Sequence, residues 1–204
     1  MVGVLVVVLV VCAAFLVGAI NPASIFARVL GKDISTGSGN PGATNAGRVL
    51  GRWWGVLVGI LDVIKGAAPA LATLLLLGRS PAYLVSVAVV LGHVYSPFLK
   101  GRGGKGVAAT LGAMLAVHPW YAVALAAVFA LVFVVSRWVA LGSLVAAGLT
   151  IVGGVLAMLD LLPGGFGAAT ALWAWALGVI VIVRHFGNIA GKWRELRASG
   201  DGST

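Results

Sequence analysis

An all-α, polytopic integral membrane protein is what three features of this chain predict. Only 9% of its 204 residues are charged and 61% are hydrophobic, whereas a soluble domain carries roughly a quarter charged residues. The apolar residues come in long runs separated by Gly- and Pro-containing turns, and the cations sort to one side of those runs. With a mean hydropathy of +1.10, only a bilayer can solvate such a surface. The chain reads as one transmembrane domain, 1–204, without a soluble domain or an internal repeat.

A crossing needs about 20 apolar residues, and that rule places about seven spans, roughly at 2–27, 54–77, 81–99, 106–118, 120–136, 138–159 and 168–184. The first has no basic residue before Arg28 and a long apolar stretch, so it reads as a retained helix and not a cleaved signal. Cys12 lies within it with no charge or His beside it, and is expected to be a buried, inert packing thiol. A lone cysteine offers no disulfide framework and no metal site. The second span carries Asp62 and Lys65, spaced i,i+3 on one helical face. Each such charge costs about 2.5–3.5 kcal/mol at mid-bilayer, so they are expected to pair, either bracing the bundle or bordering a ligand pocket. The fourth span, 106–118, is short for a full crossing. Turns are expected at Gly78-Arg79-Ser80-Pro81, His118-Pro119 and Leu162-Pro163-Gly164-Gly165.

Seven crossings with the N-terminus outside and the C-terminus inside put twelve of the fourteen basic residues in the cytoplasm, leaving Arg79 outside and Lys65 within a span. The net charge of +9 and pI near 10.7 thus reflect membrane topology, and no nucleic acid is implied. Three polar segments, 28–53, 97–105 and 184–204, share the inner face of a plasma-membrane protein.

Parts of those segments suggest chemistry. In Gly37-Ser38-Gly39-Asn40-Pro41-Gly42-Ala43-Thr44-Asn45, ending in Arg48, three glycines with Ser, Thr and two Asn make a poor helix. They suit a cradle of backbone N–H groups and hydroxyls for an anion, with a guanidinium fork beside it. An ordinary Gly/Asn-rich turn has the same composition. Lys100-Gly101-Arg102-Gly103-Gly104-Lys105-Gly106 leads into an apolar run at Val107, so cations and bare backbone meet at a helix N-terminus, a natural phosphate seat. It is no Walker A loop, because Gly106 follows Lys105 where Ser or Thr would be needed. A basic inner loop obeying the topology rule is the plainer alternative. Arg184-His185-Phe186-Gly187-Asn188-Ile189 puts a group able to move protons near neutrality at the inner end of the last span. His93 and His118 could equally serve packing, and His118 belongs to the outer side.

Taken together, GSGNPGATNAGRVLG (37–51), DVIKG (62–66), GHVYSPFLKGRGGKGVAATLG (92–112) and RHFGNI (184–189) resemble the motifs of the bacterial acyl-phosphate:glycerol-3-phosphate acyltransferases, the PlsY family. The resemblance covers nearly the whole chain. It implies a seven-helix membrane enzyme that moves a fatty acyl group from acyl phosphate to the 1-hydroxyl of glycerol 3-phosphate, giving lysophosphatidate for phospholipid synthesis. It places Ser38, Arg48, Lys105, His185 and Asn188 in the active site, with Gly103, Gly104 and Gly106 as a phosphate loop and Gly37, Gly39, Asn40, Thr44 and Asn45 as binding residues. Glycerol 3-phosphate, fatty acyl phosphate and membrane lipid are the implied partners, together with the soluble enzyme that makes acyl phosphate. No cofactor or metal is implied. The chain departs from the family pattern at Gly18-Ala19-Ile20-Asn21-Pro22, which lacks the usual Ser, and at Asp33-Ile34-Ser35, where an Arg is usual. It departs again after Ile189, where Ala190-Gly191-Lys192 puts the contributions of Lys192 and Glu195 in question.

The residues are compatible with that chemistry. Two phosphate-bearing substrates need cations and free N–H groups, and an oxyanion forming on the acyl carbonyl needs fixed donors such as Asn188, Ser38 or loop amides. Phosphate leaves readily, so direct transfer without an acyl-enzyme is expected, the proton passing to His185 or a substrate phosphate oxygen. A membrane transporter of an anionic solute is the alternative, but polar residues gathered at one face do not line a path through the midplane. A purely structural protein would leave two glycine-rich cationic segments without a purpose. No His has Asp five residues later, against the acyltransferases that use a His-x-x-x-x-Asp pair.

Overall fold

The computed structural model describes residues 2–162 and 167–187. Within them the chain is all-helical: α1 (Val2–Ala19), α2 (Pro22–Val29), α3 (Ala43–Val49), α4 (Arg52–Leu77), α5 (Arg79–Val94), α6 (Val107–Val117), α7 (Pro119–Ser136), α8 (Val139–Met158) and α9 (Gly167–Val183), with a 3-10 turn at Pro97–Leu99. Five stretches are long and apolar enough to cross a membrane, Gly3–Val29, Arg52–Leu77, Arg79–Leu99, Pro119–Ser136 and Val139–Met158, while α6 and α9 are shorter apolar helices.

The span expected at 2–27 is two helices. Pro22 has no N–H to continue the α1 ladder, and Asn21, in extended conformation, accepts a hydrogen bond from Ser24 N–H at 2.8 Å to start α2. The carbonyls stranded at the end of α1 are answered from other helices. Ser96 Oγ donates to Ala19 O at 2.7 Å, and Lys65 Nζ donates to Ile20 O at 2.7 Å. A cation at a helix C-terminus meets both unpaired acceptors and the negative end of the dipole, which accounts for a lysine at this depth. Cys12 corrects a second expectation: it is exposed on the surface of α1 and not buried. The turn expected at 78–81 shrinks to Gly78 alone, whose φ of 88° is a glycine conformation.

Small residues set the helix contacts, as they must where lipid removes any hydrophobic drive for association. A methyl group on Gly18 would overlap the Val89 carbonyl, and one on Gly92 the Phe15 carbonyl, so α1 and α5 touch backbone to backbone. Gly66 against Ala109 and Gly112 against Val63 bring α4 and α6 equally close. Val85, Val89, Val90, Val94, Ala109 and Leu177 fill the centre. Helices α7, α8 and α9 pack in sequence beside α6.

One length difference makes the site. At 1.5 Å per residue, the 11-residue α6 is about 16 Å long and the 18-residue α7 about 27 Å. The two meet at His118, so the N-terminus of α6 stops roughly 10 Å short of the far end of α7. The span that looked too short leaves a recess.

Candidate active site

A cavity of ≈ 410 Å³ occupies that recess and extends between the helices. Ser38, Thr44, Arg48, Lys105, Gly106 and His185 line its polar part. Met114 from α6, Leu125 and Phe129 from α7, Ala147 from α8, and Leu177 from α9 line the rest. Cationic and hydroxyl side chains and an apolar lining therefore share one space. Arg137, left-handed at the end of α7 (φ 55°), also borders it.

The first segment is arranged around Asn45. This side chain, 1% exposed, accepts Ser38 N–H on Oδ1 at 2.8 Å and donates Nδ2–H to Ile34 O at 2.8 Å and Thr36 O at 3.0 Å. Asn45 thus shapes the loop and uses one of the amides expected to cradle an anion. Gly37 and Gly39 have φ of 68° and 69° and form the turns that present Ser38. The segment is also less irregular than expected, since Ala43, Thr44 and Asn45 open α3, a short helix that places Thr44 and Arg48 one turn apart. Asn40 lies on the cavity wall. Pro41 O accepts Asn21 Nδ2–H at 2.8 Å, tying this segment to the start of α2. At the Asp33-Ile34-Ser35 departure, Ser35 caps Asp33 through N–H at 2.9 Å and Oγ–H at 2.7 Å, and these bonds hold the Asp33 carboxyl below its ordinary range.

The second segment corrects a larger expectation. Gly103 N–H donates to Val94 O at 3.0 Å and Gly104 N–H to His93 O at 3.1 Å. These amides cap the end of α5 and are not offered to a phosphate. Glycine is needed there for space: a methyl on Gly103 would overlap the His93 carbonyl, and one on Gly104 the His93 ring. Arg184 holds the same loop from the other side, donating Nη2–H to Gly103 O at 3.0 Å and Nε–H to Gly104 O at 3.4 Å, with its guanidinium 5.8 Å from the Tyr95 ring centroid. The next turn is built differently. Gly106, left-handed at φ 86°, starts α6 without a side-chain cap, and the first-turn N–H groups of a helix have no partners within it. Lys105 stands beside them.

The cations crowd. Burial depresses the Lys105 pKa below its usual value of 10.5, and the charges of Arg184 and Arg48 depress it further. His185 is 2% exposed. Its Nδ1 lies 2.7 Å from Val181 O, which can only accept, so Nδ1 carries the proton and Nε2 keeps its lone pair. Burial lowers the His185 pKa from 6.5; the Val181 bond opposes this, and the charges of Lys105 and Arg184 add to it. The imidazole is thus biased toward its neutral form, with the Nε2 lone pair available. Asn188, with Lys192 and Glu195, lies outside the described residues.

Asp62 and Lys65 pair as expected, Nζ to Oδ1 at 2.9 Å. Both proposed roles apply: Lys65 braces α1, and Asp62 reaches the cavity wall with His93, whose Nδ1 is 3.5 Å from Asp62 Oδ1. His118 sits apart at the opposite end of α6 from Lys105, its Nε2 2.7 Å from Tyr83 Oη. Burial and then Arg79 lower its pKa to about 4. Among the described residues no cluster of three or more His, Cys, Asp or Glu could hold a metal. Sequence reasoning missed Asn21 and Arg184 as positioning residues. For Asn21 the signal was present, since Asn before Pro is an N-cap pattern.

A protein-family model described as glycerol-3-phosphate acyltransferase matches residues 8–194. The chain belongs to the glycerol-3-phosphate acyltransferase family. It is 48% identical to the glycerol-3-phosphate acyltransferase of Myxococcus xanthus (strain DK1622) over 70% of this chain and 76% of that one. It is 38% identical to the enzyme of that name from Aquifex aeolicus (strain VF5) over 86% and 90%. The crystal structure of PlsY (YgiH), an integral membrane glycerol 3-phosphate acyltransferase in its glycerol 3-phosphate form, superposes with a TM-score of 0.83 at 35% identity, covering 93% of this chain and 92% of that one. Its lysophosphatidic acid form gives 0.81 at the same identity and coverage. That protein is thus known both in a glycerol 3-phosphate form and in a lysophosphatidic acid form.

Proposed function

We propose that this protein transfers a fatty acyl group from acyl phosphate to the 1-hydroxyl of glycerol 3-phosphate, at the cytoplasmic face of the plasma membrane, giving lysophosphatidate and inorganic phosphate. The observation that carries the reading is a cavity in which a cation cluster opens onto an apolar channel between α6, α7, α8 and α9. Lys105 and the first turn of α6 hold one phosphate, and Ser38, Thr44 and Arg48 hold the other. The acyl chain runs toward Leu125, Phe129 and Leu177. The acceptor hydroxyl attacks the acyl carbonyl carbon, His185 Nε2 takes its proton, and the C–O bond to phosphate breaks as phosphate leaves. Asn188 and Ser38 are assigned to the oxyanion. Gly37 and Gly39 present Ser38, with Asn40 and Asn45 shaping the loop; Gly103 and Gly104 seat Lys105, and Gly106 opens the helix start. The N-out, C-in arrangement of seven crossings, with α6 and α9 included, is supported by the sorting of the cations. It faces the cavity mouth toward the soluble enzyme that would supply acyl phosphate.

The test uses purified protein in detergent or bilayer. Palmitoyl phosphate should release inorganic phosphate only when glycerol 3-phosphate is present, and palmitoyl-CoA should not replace it. Use of acyl-CoA with no use of acyl phosphate would overturn the donor assignment.

A further inference from the structure

Hydroxyls buried in helices normally satisfy themselves here. Thr73, Ser86, Ser136, Ser143 and Thr150 each donate to the carbonyl four residues earlier, at 2.6–2.9 Å, as helical hydroxyls in an apolar setting tend to do. Thr110 does not. It is 8% exposed, in the first turn of α6, and its Oγ1 has no hydrogen-bond partner among the described residues. His93 Nδ1, 3% exposed, is only weakly answered: its one neighbour among the described groups is Asp62 Oδ1 at 3.5 Å, short of a well-formed hydrogen bond. Thr110, His93 and Asp62 all line the cavity, immediately inside the Lys105–Gly106 turn. Buried polar groups without partners are uncommon and each needs an explanation. Here an unanswered hydroxyl and a weakly answered ring nitrogen line the same cavity as a carboxylate.

We propose that Thr110, His93 and Asp62 form the subsite for the free secondary hydroxyl of the acceptor, and so select glycerol 3-phosphate over phosphorylated alcohols that lack it. The inference rests on glycerol 3-phosphate being the acceptor, with its phosphate at the start of α6. A hydroxyl is both donor and acceptor: it donates to the Asp62 carboxylate and accepts from Thr110 Oγ–H or His93 Nδ1–H. An analogue without that hydroxyl leaves these groups buried and unanswered, which is how sites built around a hydroxyl reject its absence.

The probe is 3-hydroxypropyl phosphate, which keeps the phosphate and the primary hydroxyl and lacks the secondary one. Catalytic efficiency is measured on both acceptors for wild type, Thr110→Val and Thr110→Ser. Wild type should favour glycerol 3-phosphate by roughly tenfold or more. Thr110→Val should cut that ratio several-fold, and Thr110→Ser should retain it. A merely structural role for Thr110 would lower both efficiencies together and leave the ratio unchanged, which overturns the subsite. Equal use of both acceptors by wild type overturns it as well, while leaving the acyltransferase reading intact. Wild type that acylates neither acceptor overturns the acceptor assignment and the subsite with it.

Discussion

Replacing Lys105 with alanine separates what this residue does for the fold from what it does for substrate. In the empty protein its ammonium is opposed by burial and by Arg184 and Arg48, and it precedes the positive end of α6. Removing it relieves that opposition, and the shift in the thermal midpoint of the empty protein measures what the residue does for the fold. With substrate bound the balance reverses. A charge-assisted hydrogen bond to an ionised group contributes about 1.5–3 kcal/mol, so kcat/KM should fall about 10- to 150-fold. The same loss appears in binding. Glycerol 3-phosphate at about 100 times its Kd stabilises wild type by about 2.7 kcal/mol. A Kd raised tenfold cuts that to about 1.4 kcal/mol at the same concentration. The assay pairs steady-state kinetics with thermal unfolding in detergent, with and without glycerol 3-phosphate. A variant that melts lower when empty yet keeps wild-type kinetics and ligand stabilisation would refute the assignment, making Lys105 a structural or topological residue.

Two further outcomes follow from the same geometry. Burial first, then the Lys105 and Arg184 charges, lower the His185 pKa, so the imidazole should stay neutral until the pH falls below 6.5, and added inorganic phosphate should raise its titration midpoint by offsetting those charges. NMR of isotope-labelled histidine checks this; titration at or above the ordinary value in the empty protein would contradict it. Direct transfer requires that Ser38→Ala lower kcat/KM while Cys12→Ala stays within about twofold of wild type, because Cys12 faces away from the cavity on α1. Intact mass after treatment with acyl phosphate alone should be unchanged, and an acyl adduct on the Ser38 peptide would replace direct transfer with a covalent route through Ser38.

The helices were legible because lipid leaves a chain few choices: backbone groups must pair within each segment, and apolar runs mark where they do. Two features escaped that logic. The break at Ile20–Asn21 is local chemistry inside an apolar run, and hydropathy passes over it while the Asn-Pro pair does not. The reason for Gly103 and Gly104 was hidden, because bare backbone can mean a ligand or a close neighbour. Only the packing on His93 and Val94 decides for the neighbour. Lys105, Arg48 and His185 come from three distant segments and line the same cavity. Arg184, four residues from Ile180 and one from His185, looked like a topology signal in sequence. Its bonds to Gly103 and Gly104 couple the last motif to the second. Thr110 carries no pattern at all, since a threonine in a helix is ordinary until its partner is found missing.

The account stands most directly on where the acyl chain lies. A fatty acyl phosphate carrying a photoreactive group near its methyl end, bound to the purified protein and irradiated, reports that position by peptide mass spectrometry. Labels on Leu125, Ala126, Phe129 or Leu177, suppressed by unlabelled acyl phosphate, are the expected result. Labels confined to outward-facing residues such as Leu57, Ile60 or Leu76, unaffected by competitor, would contradict a cavity that joins the anion seat to the acyl channel.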